Sequence, residues 1–246
     1  LFVQAVHGIE VPGLIFLAEH KPMPGILPAD IANGLEQWLA GNNATASRVL
    51  SQGYQGKTVI YEQNGMRLVI KMPPTSGLLR FIYAMMLRHE YRAYSMLSGM
   101  SGIPRCYGLL HRRFLVLEYI DGETLRKKQP EDRDYFFARM LEIIKELHKR
   151  GIAHVDLKKK ENILIVNGSE PVFVDFGVAA RRKNGFRIVN DYIFRVAKHF
   201  DYNAWIKHKY NRQYESVSDE DRQYLKRTII ERISRIIKQF YRKLFG

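Results

Sequence analysis

Two acids and one amide stand near the middle of this 246-residue chain, in an order that suits phosphoryl transfer. They lie in His154-Val155-Asp156-Leu157-Lys158-Lys159-Lys160-Glu161-Asn162-Ile163-Leu164 and in Val174-Asp175-Phe176-Gly177. Such chemistry needs a group to receive the proton of an attacking hydroxyl, and hard oxygen ligands for a divalent cation. Asp156, Asn162 and Asp175 are residues of those types, and Asn162 and Asp175 are 13 positions apart. Apolar runs from Ile163 to Val166 and from Val172 to Val174 enclose the turn residues Asn167-Gly168-Ser169. The pattern predicts a hairpin with Asn162 at one end and Asp175 at the other.

The elements that must hold these residues follow from periodicity. Residues 28 to 39 read as a short helix with Leu35, Trp38 and Leu39 on one side, and Gly41-Asn42-Asn43 breaks it. From Val49 to Met72 the pattern is strand-like, with a hairpin turn at Asn64-Gly65. Residues 78 to 97 have helical spacing, and 103 to 119 contain two short strands around Arg112-Arg113. A helix over 132 to 149 stops at Gly151, and further helices span about 189 to 210 and 219 to 244. Strands first and helices later predict an α+β chain of two lobes, a small β-rich one and a reduced helical one. The expected divisions are an N-terminal arm over 1–46, the β-rich lobe over 47–119, the helical lobe over 120–218 and a basic amphipathic helix over 219–246.

The His-x-Asp loop, its Asn and the Asp-Phe-Gly resemble those of the protein-kinase-like superfamily. The similarity covers about residues 47 to 210 and is nearest to compact bacterial kinases allied to the RIO and lipopolysaccharide-core kinases. It implies ATP as phosphoryl donor and Mg²⁺ (or Mn²⁺) as the metal. By the match, Asp156 orients the attacking hydroxyl and accepts its proton, and Asn162 and Asp175 hold the cation. Lys158 neutralises charge on the γ-phosphate, and His154 ties the loop to the Asp-Phe-Gly turn. Ser51-Gln52-Gly53-Tyr54-Gln55-Gly56 stands where kinases carry G-x-G-x-x-G, so Gly53 and Gly56 let the backbone approach phosphate, although Ser51 replaces the first glycine. Gly56-Lys57-Thr58 is not the end of a Walker loop, because Val59-Ile60-Tyr61 continues a strand rather than opening a helix. Lys71 matches the phosphate-binding lysine and needs a carboxylate partner. Between Glu62 and Glu118 the sole acid is Glu90, which the spacing of Ile82, Met86 and Tyr94 turns inward. The backbone from Glu118 to Ile120 is where the match places the adenine edge.

Several positions depart from that pattern. Asp156 and Asn162 are six apart where the usual loop has five, so one residue must bulge near Lys158-Lys159-Lys160. Val155 replaces the usual arginine, Asn190 stands only 13 positions after Gly177, and no Ala-Pro-Glu motif follows. Regulation by activation-loop phosphorylation is therefore not expected.

Composition bounds the partners. The chain carries 39 Lys and Arg against 25 Asp and Glu, a net charge of +14, which attracts polyanions without choosing among them. One cysteine, Cys106, excludes an internal disulfide framework and suits a reducing, cytoplasmic compartment. The run Leu14 to Ala18 is too short to cross a bilayer. The last helix sets Leu225, Ile229, Ile233, Ile236, Phe240 and Leu244 among Arg232, Arg235, Lys238, Arg242 and Lys243, which fits packing on the lower lobe or peripheral contact with an anionic inner membrane. The readings in order are an atypical Ser/Thr protein kinase, a kinase of an anionic glycolipid or lipid-linked sugar, and a nucleotide-binding pseudokinase. RNA is a further polyanion that the charge allows, although no RNA-binding motif is present.

Overall fold

The computed structural model describes residues 27–41, 47–53, 56–74, 79–183 and 188–226. The chain divides into two compact units, one of residues up to Ser98 plus Arg105–Tyr119, the other of Gly99–Pro104 plus Ile120 onward.

The first unit is built on a sheet. Helix α1 (Ala29–Ala40) precedes β1 (Ser47–Gly53), β2 (Gly56–Gln63) and β3 (Met66–Met72). Helix α2 (Leu79–Met96) then leads to β4 (Cys106–Leu110) and β5 (Phe114–Glu118). Among the described residues the strand order is β1-β2-β3-β5-β4, each neighbour antiparallel. The β2–β3 turn is Asn64-Gly65 with φ of 51° and 75°, the left-handed pair that matches strand twist in a two-residue hairpin. Along β3, Leu68, Ile70 and Met72 are buried while Arg67 is exposed and Val69 and Lys71 are half-buried. This alternation sends Lys71 to the face opposite the one that α1 covers.

Helix α1 belongs to the core of this unit. Ile31 and Leu35 pack with Val59, Tyr61, Leu68, Ile70 and Val116, and Trp38 tilts against Tyr61 at 5.4 Å between ring centroids. The expected arm thus contributes a structural helix; residues 1–26 lie outside the described residues. Leu35 is fully buried, so truncation to Ala removes a core side chain at a cost of about 2–5 kcal/mol.

The second unit contains β6 (Glu123–Thr124), α3 (Arg133–Lys149), β7 (Ile152–Ala153), β8 (Ile163–Val166), β9 (Glu170–Phe173), β10 (Ala180–Arg181), α4 (Ile188–Lys209) and α5 (Asp219–Arg222). Asp132 caps α3 by accepting from the Tyr135 N–H at 3.0 Å. Phe136, Phe137, Met140, Ile143, Ile144 and Leu147 form its buried stripe, and Gly151 follows in the left-handed region at φ 76°. Trp205 on α4 is buried and donates from Nε1 to the Phe137 carbonyl at 2.7 Å, which ties α4 to α3. The hairpin of β8 and β9 turns at Asn167-Gly168, with φ of 47° and 82°.

Two elements differ from the sequence reading. Strand β9 begins at Glu170 rather than Val172, since Pro171 pairs with Ile165. The helix expected from 219 is a single turn, α5, capped by Ser218 and followed by a turn at Gln223-Tyr224. Most of the apolar stripe proposed for that helix lies outside the described residues, from 227 onward.

Candidate active site

Lys71 stands opposite Thr58 of β2 and Leu115 of β5, held by ladders on both sides. Its Nζ is 2.6 Å from Glu90 Oε1, the side chains being 18% and 4% exposed. Glu90 is buried on α2, in line with Ala93, Tyr94 and Leu97, whereas Ile82 at the far end of that helix is 45% exposed. The inward stripe is therefore shorter than the spacing suggested. A buried carboxylate demands a cation, and the pair pins the lysine head in one place. Lys71→Met is expected to abolish turnover. It also strips Glu90 of this partner, at about 1–3 kcal/mol of stability. Adding Glu90→Gln should return the stability, measured by urea unfolding, and not the turnover; full activity in Lys71→Met overturns the assignment.

Gly53 and Gly56 pair with each other across the β1–β2 hairpin, and Tyr54 and Gln55 lie outside the described residues. Gly56 has φ 109°, and a Cβ there would sit 2.1 Å from the Met72 carbonyl oxygen. Glycine is thus required at 56 by the approach of β3, whether or not phosphate binds nearby. Lys57 and Thr58 lie within β2, as strand residues. At the end of β5, the Glu118 N–H donates to the Arg105 carbonyl at 2.8 Å and its Oε2 accepts from the Arg105 N–H at 2.9 Å. Tyr119 N–H donates to the Arg67 carbonyl at 3.3 Å. These bonds commit the amide donors of Glu118 and Tyr119. Cys106 is buried and burial pushes its thiol up to about 12, which makes it inert.

In the second unit the chemistry gathers on the loop between β7 and β8. Asn162 is buried, and its Nδ2 donates to the Asp156 carbonyl at 3.2 Å and to Asp156 Oδ2 at 3.3 Å. Asn162 Oδ1 takes no part in these two bonds. Val174 N–H donates to the Asn162 carbonyl at 3.0 Å, so the residue before Asp175 is tied to Asn162. The β8–β9 ladder closes at Ile163 opposite Phe173, which brings its two flanking positions to one end. Asp175 has φ 69°, a left-handed value that Asp tolerates better than most residues. A carboxylate and an amide oxygen are the hard oxygen donors that a small divalent cation takes. Among the described residues no group of three or more His, Cys, Asp or Glu could hold a metal.

The additional residue in the loop is absorbed by a short 3-10 turn over Lys160–Asn162, with Lys159 N–H bonded to the Asp156 carbonyl and Asn162 N–H to the Lys159 carbonyl. Lys159 Nζ lies 2.6 Å from Asp156 Oδ2, and this hydrogen bond holds the lysine above its ordinary pKa. Lys158, the residue chosen by motif matching, has its Nζ 4.9 Å from the Phe200 ring centroid.

Asp201 also escaped the sequence reading. It is fully buried on α4 and accepts from the backbone N–H of His154 (2.8 Å) and of Val155 (2.7 Å), while His148 Nε2 lies 2.9 Å from Oδ2. Val155 has φ 72°, a costly conformation for a β-branched residue, and the Asp201 carboxylate holds it there. Two residues at the end of the same helix grip the loop beyond Asp156. His208 Nε2–H donates to the Leu157 carbonyl at 2.8 Å and Lys207 Nζ to the Lys158 carbonyl at 3.0 Å. Burial lowers His208 to about 4, so it is neutral at pH 7. The available signal was an acid on an apolar stripe: Phe194, Ala197, Asp201, Ala204 and His208 share one face at helical spacing.

His154 is buried; its Nε2–H donates to the Val174 carbonyl at 3.0 Å and its ring packs on Phe176 at 4.5 Å. It links the loop to the Asp-Phe-Gly turn and is placed for structure rather than proton transfer. The basic run Arg181-Arg182-Lys183 is tied to the start of α4, with Arg182 Nε 2.9 Å from Asp191 and Lys183 N–H bonded to Asn190 Oδ1 at 2.7 Å.

Comparisons with known proteins place the chain in a family. The family model for the protein kinase domain matches residues 52–219. Serine/threonine-protein kinase chk1 of Schizosaccharomyces pombe is 29% identical over 137 residues, covering 52% of this chain and 27% of that protein. Protein kinase C zeta type of Oryctolagus cuniculus is 25% identical over 190 residues, covering 69% of this chain and 32% of that protein. The chain thus spans about a quarter to a third of the length of these relatives. Among solved structures, the Rio2 kinase from Chaetomium thermophilum superposes with a TM-score of 0.57 at 15% identity, covering 79% of this chain and 67% of that one. No helix among the described residues is long and apolar enough to cross a membrane.

Proposed function

Since this chain belongs to the protein kinase domain family, we propose that it transfers the γ-phosphoryl group of ATP to a hydroxyl, most simply a Ser or Thr of a protein. The observation that carries this reading is the Asp156–Asn162 pair, with Val174 bonding Asn162 and so setting Asp175 beside it. In this reading the acceptor oxygen bonds to the γ-phosphorus in line with departure of the bridging oxygen of ADP, and Asp156 receives the hydroxyl proton. Bound Mg²⁺, or Mn²⁺ in its place, supplies charge neutralisation at the phosphates. Asn162 Oδ1 and Asp175 would hold it. Asn162 Nδ2 and Lys159 keep Asp156 from rotating away. Lys71, fixed by Glu90, takes phosphate oxygens of the nucleotide. The main-chain groups of Glu118 and Ile120 meet adenine, and Gly53 and Gly56 keep the β1–β2 hairpin free of Cβ atoms beside phosphate. The short stretch from Gly177 to α4 favours an atypical member without a phosphorylated activation loop.

Asp175→Asn tests the metal assignment. Loss of the anionic ligand should lower Mg²⁺-dependent transfer by about 10²-fold or more. It should also remove the Mg²⁺-dependent part of the thermal shift produced by ATP. Undiminished activity with Mg²⁺ refutes the role. Fractionating labelled product then separates acceptors: label in protein supports the reading, and label in an organic-extractable lipid favours a glycolipid acceptor.

A further inference from the structure

Outside the acidic groups just described, the loop after Asp156 borders a cleft of about 720 Å³ in the second unit. Its lining holds six cations, Arg126, Lys158, Lys159, Lys160, Lys207 and Arg212, against a single acid, Glu161. Glu161 is spent on Arg126 at the rim. His208, which also lines the cleft, is held neutral by its burial.

The cations are built into the fold rather than scattered on a solvated face. Lys207 is anchored to the Lys158 carbonyl, and burial together with Arg212, Lys158 and Lys160 lowers its pKa, the mark of cations crowded without enough counter-charge. Arg212 is presented by a turn after α4 in which Asn211 and Arg212 have φ of 46° and 68°, closed by Arg212 N–H to the Lys207 carbonyl at 3.0 Å. Holding an arginine in that conformation costs stability that a plain helix end would not. Lys159 belongs to both places, lining the cleft and bonding Asp156 at 2.6 Å. An anion in the cleft is therefore next to the group assigned to receive the acceptor's proton.

Resting on the phosphotransferase reading, we propose that this cleft binds an acidic stretch of the protein acceptor, so that hydroxyls flanked by Asp, Glu or phosphorylated side chains are presented to Asp156. The concave shape suits a peptide side chain better than a flat bilayer. Its lining has no aromatic ring beyond the buried His208 on which an RNA base could stack.

The test uses the full chain and a fluorescein-labelled Ser peptide flanked on both sides by Glu, beside the same peptide with Gln. Anisotropy should show the acidic peptide binding at least about tenfold tighter at low salt. The preference should vanish in Lys160→Glu/Arg212→Glu and shrink in Lys160→Gln/Arg212→Gln. The Gln pair decides the matter if the charge reversal fails to melt cooperatively. With labelled ATP, wild type should show the same order in kcat/KM. Equal binding of the two peptides, or a preference unchanged in both variants, overturns the proposal. So does cleft-dependent binding of single-stranded RNA or phosphatidylglycerol vesicles without binding of the acidic peptide. Cleft-dependent peptide binding without label transfer upholds the anion site and counts against the phosphotransferase reading, so the two failures are distinct.

Discussion

Asp156→Asn is expected to lower phosphoryl transfer by about 10²- to 10⁴-fold, the range for loss of a positioned general base. The asparagine keeps the size of the side chain and can still accept from Asn162 Nδ2, so the loop geometry is preserved. What it loses is the charge that draws the hydroxyl proton and the ion pair with Lys159. That pair is partly exposed, with Lys159 at 64%, so its contribution to stability is small, about 0–1 kcal/mol. ATP binding should therefore persist while kcat collapses, which single-turnover transfer with saturating ATP and Mg²⁺ measures directly. Transfer within a few-fold of wild type would remove Asp156 from the reaction and with it the reading of this loop.

Asp201→Asn is expected to destabilise the second unit by about 3–5 kcal/mol, the usual cost of breaking a buried charged network by removing one partner. The carboxylate accepts three hydrogen bonds through two oxygens: Val155 N–H on Oδ1, with His154 N–H and His148 Nε2 on Oδ2. An asparagine retains one oxygen and turns an NH₂ toward donors on the other side, so at least one buried donor is orphaned. Val155 then has less to hold it at φ 72°, and relaxing it moves the neighbouring Asp156. Activity should fall along with the urea midpoint, although Asp201 touches no reacting atom. Following it with Val155→Gly, which relieves the left-handed strain, should recover part of the stability. An Asp201→Asn protein with wild-type midpoint and wild-type kcat would show that the loop is held by other contacts.

The local features of the fold were legible because each carries its own signal. Asn64-Gly65 and Asn167-Gly168 are the residue types that tolerate left-handed backbone, and both sit at hairpin turns. The buried stripe of α3 has the spacing of a helix face, and Gly151 marks its end. Lys71 and Glu90 were linked by elimination among acids, and they lie 2.6 Å apart. The last helix was the weak point. Its apolar spacing suggested continuity from 219, while Ser218 caps only one turn, and the Asp221 carboxylate is bonded to Lys209 and Tyr210 of the preceding segment. A carboxylate held by a distant partner is invisible to periodicity.

By itself, the sequence determined the types of chemistry-bearing residues and their order: Lys71, Glu90, Asp156, Asn162 and Asp175, on strands, a helix and a hairpin whose patterns depend on neighbours only a few positions away. Tertiary structure decided the rest. It set Lys159 against Asp156, just before the 3-10 turn over Lys160–Asn162. It made Asp201, 46 positions beyond Val155, the anchor of the strained loop. It also gathered Arg126, Lys160, Lys207 and Arg212 into one cleft. Periodicity reports which face of an element is buried. Which buried acid meets which backbone donor, and which cations share a cleft, depends on how distant segments pack, and that information is absent from local spacing.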